Sequence, residues 1–293
     1  MTLPTKRPWQ VWRDRRGRLS PLRIAALGLL LLPVVKALYD VQAIAGGARP
    51  LTDLIHRAGF WALVFLGVTL AVTPLRRIAR FGSLIDIRRM LGVGTFLYVA
   101  AHLALYIADQ GFDLIKVAHE ITQRWYLIVG GTAWLGLAAL AATSTDGMVR
   151  RLGGMRWRRL HQVIYFIALL ALIHYFQQTK ADVTVPTFVA GLFGWLIGYR
   201  LLAWWKAAGE MTSVQLLTLS VAVSLLTFAC EAIGIGIVFN VSPLRVLETT
   251  FDFAAGVRPG WQVLGAGLCV VVLDFICARW RGRPATARAV AAE

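Results

Sequence analysis

Three of the five histidines lie within long apolar stretches, where an ionisable side chain is costly and usually functional. His102 is flanked by Tyr98 and Tyr106 at four-residue spacing, and His161 and His174 lie near the two ends of the apolar stretch 157–176. Imidazole is a ligand of haem iron, and two imidazoles on different helices at one depth can hold one haem between them. These residues favour electron transfer at a haem over bond-making chemistry in the chain itself.

The elements that must position these histidines are membrane-spanning helices. Hydrophobic residues make up 58% of the 293 residues, charged residues make up 16%, and the apolar residues come in blocks of membrane-crossing length. The sequence therefore predicts an all-α integral membrane protein with about eight transmembrane helices. The predicted spans are roughly 22–44, 58–73, 90–108, 125–142, 160–176, 186–203, 213–239 and 261–278.

The first span has a second reading as a signal peptide. Basic residues precede an apolar core at 24–35, and Ala43-Ile44-Ala45 follows it, which is the order that a signal peptide has. We expect the span to be retained, because the apolar stretch continues beyond Lys36. The other seven spans are predicted in either case.

Basic residues are distributed unevenly between the two sides of the predicted bundle. Of the 31 Lys and Arg residues, 23 lie in the N-terminus and in 74–89, 143–159, 200–212 and 279–293, whereas seven lie in the opposite loops. By the positive-inside rule both termini are cytoplasmic. The net charge of +16 is thus explained by topology, with a cytoplasmic anion such as a lipid or a flavin phosphate as a second explanation. It does not indicate nucleic-acid binding.

This orientation gives each histidine a depth. His102 lies seven residues before the end of the third span at Asp109, and His174 lies three residues before Gln177, so both fall in the outer half. They are the predicted axial ligands of one haem. His161 lies at the cytoplasmic end and is a candidate ligand of an inner site. That site is incomplete, because Arg88 occupies the matching position on the third span.

Two histidines remain to be placed, and the angle between His161 and His174 on an ideal helix has to be considered. His56 precedes the second span on the outer side, and His119 lies in the 109–124 loop, where no role is expected. On an ideal helix, thirteen residues leave His161 and His174 about 140° apart, so the two share a face only if the helix is irregular between them.

An ordered set of short motifs resembles one known family. The sequence resembles the MsrQ/YedZ family, the haem-binding membrane subunits of the bacterial periplasmic methionine sulfoxide reductase system, within the ferric-reductase-like transmembrane superfamily. The resemblance extends over about residues 20–205, which hold six helices. The matching motifs are Leu54-Ile-His-Arg-Ala-Gly59, Val72-Thr-Pro-Leu-Arg76, Ile87-Arg-Arg-Met-Leu-Gly92, Ala101-His-Leu-Ala-Leu-Tyr106, Ala142-Thr-Ser-Thr145, Trp157-Arg-Arg-Leu-His161 and Ile173-His-Tyr175.

The resemblance implies that the protein lies in the bacterial inner membrane and passes electrons outward to a periplasmic, molybdopterin-containing methionine sulfoxide reductase catalytic subunit. The implied donor is the quinone pool or a cytosolic flavin reductase, and the implied cofactors are haem b, with FMN and quinone as further candidates. His102 and His174 match the family's haem ligands, and His161 matches a third histidine on the inner side. Arg88 and Arg89 match a basic pair suited to a flavin phosphate, with positive-inside signalling as the alternative. His56 matches an outer-side histidine near the haem edge or the partner-docking surface.

Three segments are expected: a basic cytoplasmic segment at 1–21, a six-helix haem-binding domain at 22–205, and a C-terminal extension at 206–293. The extension has two helices and a basic tail, and it carries the acids Glu231 and Asp274. Either acid is a proton-linked or quinone-contacting group, or it ties the extra helices to the bundle by a hydrogen bond. Two alternative functions stay open. One is a quinol-oxidising cytochrome b subunit of another periplasmic reductase, and the other is a transporter that works through Lys36, Glu231 and Asp274.

Overall fold

The computed structural model describes residues 10–14, 17–179, 182–206 and 211–281. Within these ranges the regular structure is helical, with one isolated bridge between Arg13 and Leu19. Eight helical stretches are long and apolar enough to cross a membrane by length and composition, which confirms the predicted all-α membrane fold. The α-helices are α1 (Pro21–Tyr39), α2 (Val41–Ala45), α3 (Pro50–Ile78), α4 (Ile85–Asp109), α5 (Leu114–Gln123), α6 (Trp125–Ala142), α7 (Asp146–Leu152), α8 (Gly154–Gln162), α9 (Ile164–Gln178), α10 (Thr184–Trp205), α11 (Ser213–Phe239), α12 (Pro243–Glu248) and α13 (Pro259–Arg281).

The first span is shorter than predicted. It begins where Ser20 accepts a hydrogen bond from the main-chain N–H of Arg23, and it ends at Tyr39, so that 41–45 is a separate short helix. The turn between them carries Asp40, whose carboxylate lies 3.1 Å from Lys36 Nζ and 3.2 Å from Arg57 Nη1. The hydrogen bond from Lys36 lowers the pKa of Asp40 below its usual value. Lys36 is thus part of an exposed ion-pair cluster at the helix end.

The second span is longer than predicted, and this corrects the position of His56. Helix α3 begins at Pro50 and not near residue 58, so His56 lies inside the helix and does not precede it. Pro50 is suited to a helix start because its ring fixes φ and the missing N–H has no partner there. The first turns of α3 are polar, so hydropathy alone gave a later start for this helix.

The helix predicted over 157–176 is interrupted at Val163. Helix α8 ends at Gln162 and α9 begins at Ile164, although together they form one apolar stretch of membrane-crossing length, Gly154–Gln178. The N–H of Val163 bonds to the carbonyl of Leu160, three residues earlier. This tighter local winding changes the angle between His161 and His174 from that of an ideal helix.

The chain divides into two compact units, the first formed by Met1–Val72 and Ser83–Gln178. Small residues allow close helix contacts within it, as expected of membrane bundles. Gly94 of α4 packs against Leu30 of α1, and the Tyr98 hydroxyl donates to the Leu30 carbonyl at 2.6 Å. Buried side chains of this unit include two clusters: Ala26, Leu30, Phe65, Val72, Ile87 and Leu91, and Ala133, Leu137, Leu140 and Ile167.

The second unit consists of Thr73–Gly82 and Thr179–Glu293. Helices α10, α11 and α13 pack through small residues: a methyl group at Gly267 would overlap Ser220, which accepts a hydrogen bond from Trp195 Nε1 at 3.0 Å. Helix α10 thus lies in the same unit as the C-terminal helices. The functional domain boundary expected near residue 205 stays a prediction.

Candidate functional site

His102 and His174 meet inside the first unit. Their ring centroids are 6.3 Å apart and their ring planes are nearly perpendicular, at 85°. His102 comes from α4 and His174 from α9, so two different helices supply the imidazoles, as the sequence predicts. Both side chains are half-buried. We call these two residues the histidine pair.

The hydrogen bonds of the pair determine which ring nitrogen is available to a metal. His102 Nδ1 lies 2.8 Å from the carbonyl oxygen of Ile55, and His174 Nδ1 lies 2.8 Å from the carbonyl oxygen of Tyr126. A carbonyl oxygen only accepts hydrogen bonds, so each Nδ1 must carry the proton and donate it. The unprotonated Nε2 of each ring is then available as a ligand, which is the usual arrangement of metal-binding histidines.

The spacing of the pair fits a shared haem iron. Metal–nitrogen bonds of about 2.0 Å and ring radii of about 1.1 Å give a centroid separation of about 6.2 Å for two imidazoles on one iron. In the part of the chain that the structure describes, no group of three or more His, Cys, Asp or Glu side chains is placed to hold a metal ion. Two ligands suffice for haem, because its macrocycle supplies the other four.

His56 lies beside the pair. It follows Ile55, the carbonyl partner of His102, and its exposed side chain is close enough to interact electrostatically with the His102 ring. The structure therefore places this predicted residue at the edge of the site.

His161 lies in a different cluster, near the N-terminal end of the same apolar stretch. Its ring stacks on Trp157 with centroids 3.8 Å apart, and its Nε2 lies 3.3 Å from Ser144 Oγ. Arg88 and Arg89 are within electrostatic range of His161, and Arg89 forms a hydrogen-bonded ion pair with Asp146. We call His161, Arg88 and Arg89 the arginine–histidine cluster.

Both ring nitrogens of His161 have polar neighbours, and its role as a ligand stays a prediction. Its Nδ1 lies 3.1 Å from the Trp157 carbonyl oxygen. Its Nε2, the nitrogen that would then be available to a metal, faces the Ser144 hydroxyl. This contact of Nε2 with a hydroxyl distinguishes His161 from the histidine pair.

A polar network beside His174 was not predicted from the sequence. His119 and Glu120 lie on the short helix α5 and not in a loop. Glu120 accepts a hydrogen bond from the Tyr106 hydroxyl at 3.2 Å and pairs with Arg124, which also donates to the Tyr126 hydroxyl at 3.1 Å. The hydrogen bond with Tyr126 raises the pKa of Arg124. The sequence signal for this network was the acid Glu120 and the base Arg124, four residues apart on the chain. The network extends to Tyr126, whose carbonyl contacts His174.

The two acids of the C-terminal helices have partners within the second unit. Glu231 is buried and its Oε1 lies 3.6 Å from Arg258 Nη1, and Asp274 accepts a 2.7 Å hydrogen bond from the Ser213 hydroxyl. Both contacts join separate segments, as the structural interpretation of these acids predicts.

Comparison with known proteins agrees with this arrangement. The family model described as "Ferric reductase like transmembrane component" matches residues 58–172, which contain the histidine pair's His102 together with His161. His174 lies two residues beyond the matched range. No solved structure gives a significant match.

Curated relatives match over more of the chain. A protein of Rhodospirillum rubrum is 42% identical over 193 residues, which is 65% of this chain and 89% of the relative. Relatives from Xanthomonas campestris pv. campestris and Xanthomonas oryzae pv. oryzae are 42% and 43% identical over 170 residues, which is 58% of this chain and 77% of each relative. All three are named "Protein-methionine-sulfoxide reductase heme-binding subunit MsrQ". This chain belongs to the MsrQ/YedZ family of ferric-reductase-like membrane proteins.

Proposed function

We propose that this chain is a haem-binding membrane subunit that passes electrons across the bilayer to a methionine sulfoxide reductase catalytic subunit. The observation that carries the proposal is the histidine pair: two imidazoles from two helices, 6.3 Å apart, each with Nδ1 facing a main-chain carbonyl. The printed names of the relatives, which describe heme-binding subunits of such a reductase, support the same function.

The protein's own part in this function is to hold and orient the cofactor. Haem b, when bound, supplies a one-electron carrier. His102 and His174 would hold it through Nε2, and the carbonyls of Ile55 and Tyr126 fix the tautomer of each ring and raise its basicity. No bond chemistry on a substrate is assigned to the chain.

The route and the partners complete the proposal. Electrons enter from the quinone pool or a cytosolic flavin reductase at the arginine–histidine cluster, where paired guanidinium groups suit the phosphate of FMN. They leave from the side of His56 to a periplasmic, molybdopterin-containing catalytic subunit. The charge distribution supports an inner-membrane protein with both termini in the cytoplasm.

The decisive experiment is the reduced-minus-oxidised visible spectrum, with haem counted per chain, of the wild type and of histidine variants. We expect one low-spin haem b that is lost in His102→Ala and in His174→Ala, because each variant removes one axial ligand. His161→Ala should keep it, and His119→Ala is the matched control because the His119 side chain is exposed on α5. A second haem lost only in His161→Ala would mean that another ligand completes an inner haem site.

The same preparation separates the alternatives. Wild-type protein that contains no haem, although haem was supplied during expression, would contradict the proposal and favour a transporter. For transport, however, Lys36, Glu231 and Asp274 offer little support, since each contacts a partner at a helix end or between segments. A cytochrome b subunit of another reductase would bind haem but would not be reoxidised by the methionine sulfoxide reductase subunit and its substrate.

A further inference from the structure

Two glycines lie directly against the histidine pair. A Cβ atom at Gly59 of α3 would be 3.0 Å from both Cε1 and Nδ1 of His102. A Cβ atom at Gly130 of α6 would be 2.8 Å from the same two atoms of His174. At Gly130 the distance is one that real Cβ atoms essentially never show, so alanine there would displace the imidazole. At Gly59 the distance is tighter than most real Cβ contacts, so alanine would require the His102 ring to shift by a few tenths of an ångström.

Each glycine is placed in the same way relative to the carbonyl that binds the ring. Gly59 follows Ile55 by four residues, and Gly130 follows Tyr126 by four residues. In an α-helix the carbonyl of residue i accepts the N–H of residue i+4, and the Cβ of residue i+4 leans back towards the N-terminus, over that carbonyl. A side chain at i+4 would therefore obstruct the approach of an imidazole to the second lone pair of the carbonyl.

We propose that Gly59 and Gly130 are positioning residues of the two axial histidines. Each leaves a space beside its helix through which an imidazole from another helix donates Nδ1–H to the carbonyl one turn earlier. The carbonyl and the glycine together form what we call an imidazole cradle, and the described residues form one at each ring of the histidine pair. The inference rests on the proposed function, because it assigns the cradles to rings that bind haem iron through Nε2.

These two glycines differ from other closely packed glycines of the described residues in what they contact. Gly94 and Gly136 of the same unit would also overlap a neighbour if they gained a Cβ, but those neighbours are the aliphatic side chains of Leu30 and Ile167. Aliphatic contacts are expected of ordinary helix packing in membranes. An imidazole that packs against a glycine and also donates a hydrogen bond to the carbonyl one turn earlier indicates a binding site.

The cradles determine both the plane and the basicity of the rings. Each ring is held at two points, by its hydrogen bond and by its contact with the glycine, and the two planes are 85° apart. In Gly59→Ala or Gly130→Ala the ring must tilt or withdraw, which weakens the hydrogen bond and lowers the basicity of Nε2. A less basic ligand stabilises the ferric state less, so we expect the midpoint potential to rise.

The test compares haem retention, the midpoint potential and the electron paramagnetic resonance spectrum of the ferric protein in four purified variants. Gly59→Ala and Gly130→Ala change the cradles. Gly131→Ala and Gly92→Ala are matched controls, because their Cβ atoms would meet only ordinary contacts at 3.8 and 3.7 Å. Changes to groups that orient a metal ligand typically weaken metal binding about 10- to 100-fold. We expect faster haem transfer to apomyoglobin of about that size, and a larger effect at Gly130, where the space is smaller.

The spectrum of the ferric protein gives a readout that a purely structural role would not change. Perpendicular axial imidazole planes give a low-spin signal at unusually low field, and a tilted ring moves that signal towards the ordinary three-line pattern. Cradle variants that retain haem should show this movement, whereas the controls should match the wild type. Wild-type haem with cradle variants identical to the controls would overturn the inference and leave the proposed function intact. Wild-type protein without haem would overturn both.

A second pair of variants covers the case in which Gly130→Ala does not accumulate. In Gly130→Ala/His174→Ala no imidazole opposes the new methyl group, and alanine is otherwise favoured over glycine within a helix. Recovery of folded protein in the double variant would show that the conflict is with the imidazole, as proposed. Failure of both variants to fold would assign Gly130 to general helix packing and would contradict the inference.

Discussion

Nδ1 of His102 and of His174 each faces a main-chain carbonyl at 2.8 Å, and this contact decides how the other ring nitrogen is used. Main-chain carbonyls of a helix do not titrate and move little. The tautomer is therefore fixed by the backbone and not by an ionisable neighbour. His161 Nδ1 also faces a main-chain carbonyl, that of Trp157 at 3.1 Å, but its Nε2 faces the Ser144 hydroxyl. This difference at Nε2 separates the two ends of the proposed electron route.

The ion pair between Arg89 and Asp146 leads to a prediction about flavin binding. Asp146 competes with a phosphate for the Arg89 guanidinium, so Asp146→Asn should strengthen FMN binding, whereas Arg88→Gln and Arg89→Gln should weaken it. Both partners are well exposed, so the change from Asp146→Asn should be modest, about 0.2–1 kcal/mol or up to roughly fivefold in Kd. Quenching of FMN fluorescence measures the Kd. Arg150→Gln, an exposed arginine of the same unit, is the control, and an equal loss there would indicate general attraction by positive charge.

The sequence identified the members of the histidine pair but not what surrounds them. Counting residues from Asp109 and Gln177 was enough to place His102 and His174 at one depth, because rise per residue is fixed in a helix. The carbonyls of Ile55 and Tyr126 leave no trace in the sequence, because every residue has a carbonyl. Gly59 and Gly130 were visible as glycines, but only the fold shows which side chains lie against them.

Among the helices, the contact between α11 and the segment before α13 depends on one buried charge. The Glu231 side chain is 3% exposed, and its cation, Arg258, is 25% exposed. Arg258→Ala would leave the carboxylate buried and unpaired. We expect a loss of about 1–3 kcal/mol in unfolding free energy, less than for a fully buried pair because Arg258 is partly solvated.

Denaturation by sodium dodecyl sulfate in mixed micelles would measure this loss. Arg245→Ala is the control, since Arg245 is exposed on α12. Glu231→Gln in the Arg258→Ala protein should recover most of the stability by removing the charge. A double variant no more stable than Arg258→Ala would show that Arg258 acts through packing and not through its charge.

Helix positions were predictable to different degrees for physical reasons. Spans such as α6 and α11 were predicted to the residue, because their ends coincide with a change from apolar to polar residues. Helix α3 was placed too late, because its first turns are polar. The interruption at Val163 has no Gly or Pro signal, and nothing in the local sequence accounts for it.

The topology of the whole molecule can be tested with single cysteines. In a chain whose Cys230, Cys269 and Cys277 are replaced by Ala, Lys116→Cys should react with a membrane-impermeant maleimide in intact spheroplasts. Arg150→Cys should react only after lysis, because its loop is one of those rich in Lys and Arg. Both side chains are exposed, so accessibility within the fold does not bias the comparison. The opposite labelling pattern would invert the proposed orientation.

The positions of His161 and His174 at opposite ends of Gly154–Gln178 have a consequence for the cell's energetics. Thirteen residues of helix correspond to about 20 Å of membrane depth. An electron that enters at the arginine–histidine cluster and leaves beside the histidine pair moves a negative charge outward through much of the membrane voltage. With the inside negative, that movement is downhill by up to about 2.3 kcal/mol per 100 mV. On the proposed route, repair outside the membrane would run faster in an energised cell and would discharge the membrane slightly with every electron delivered.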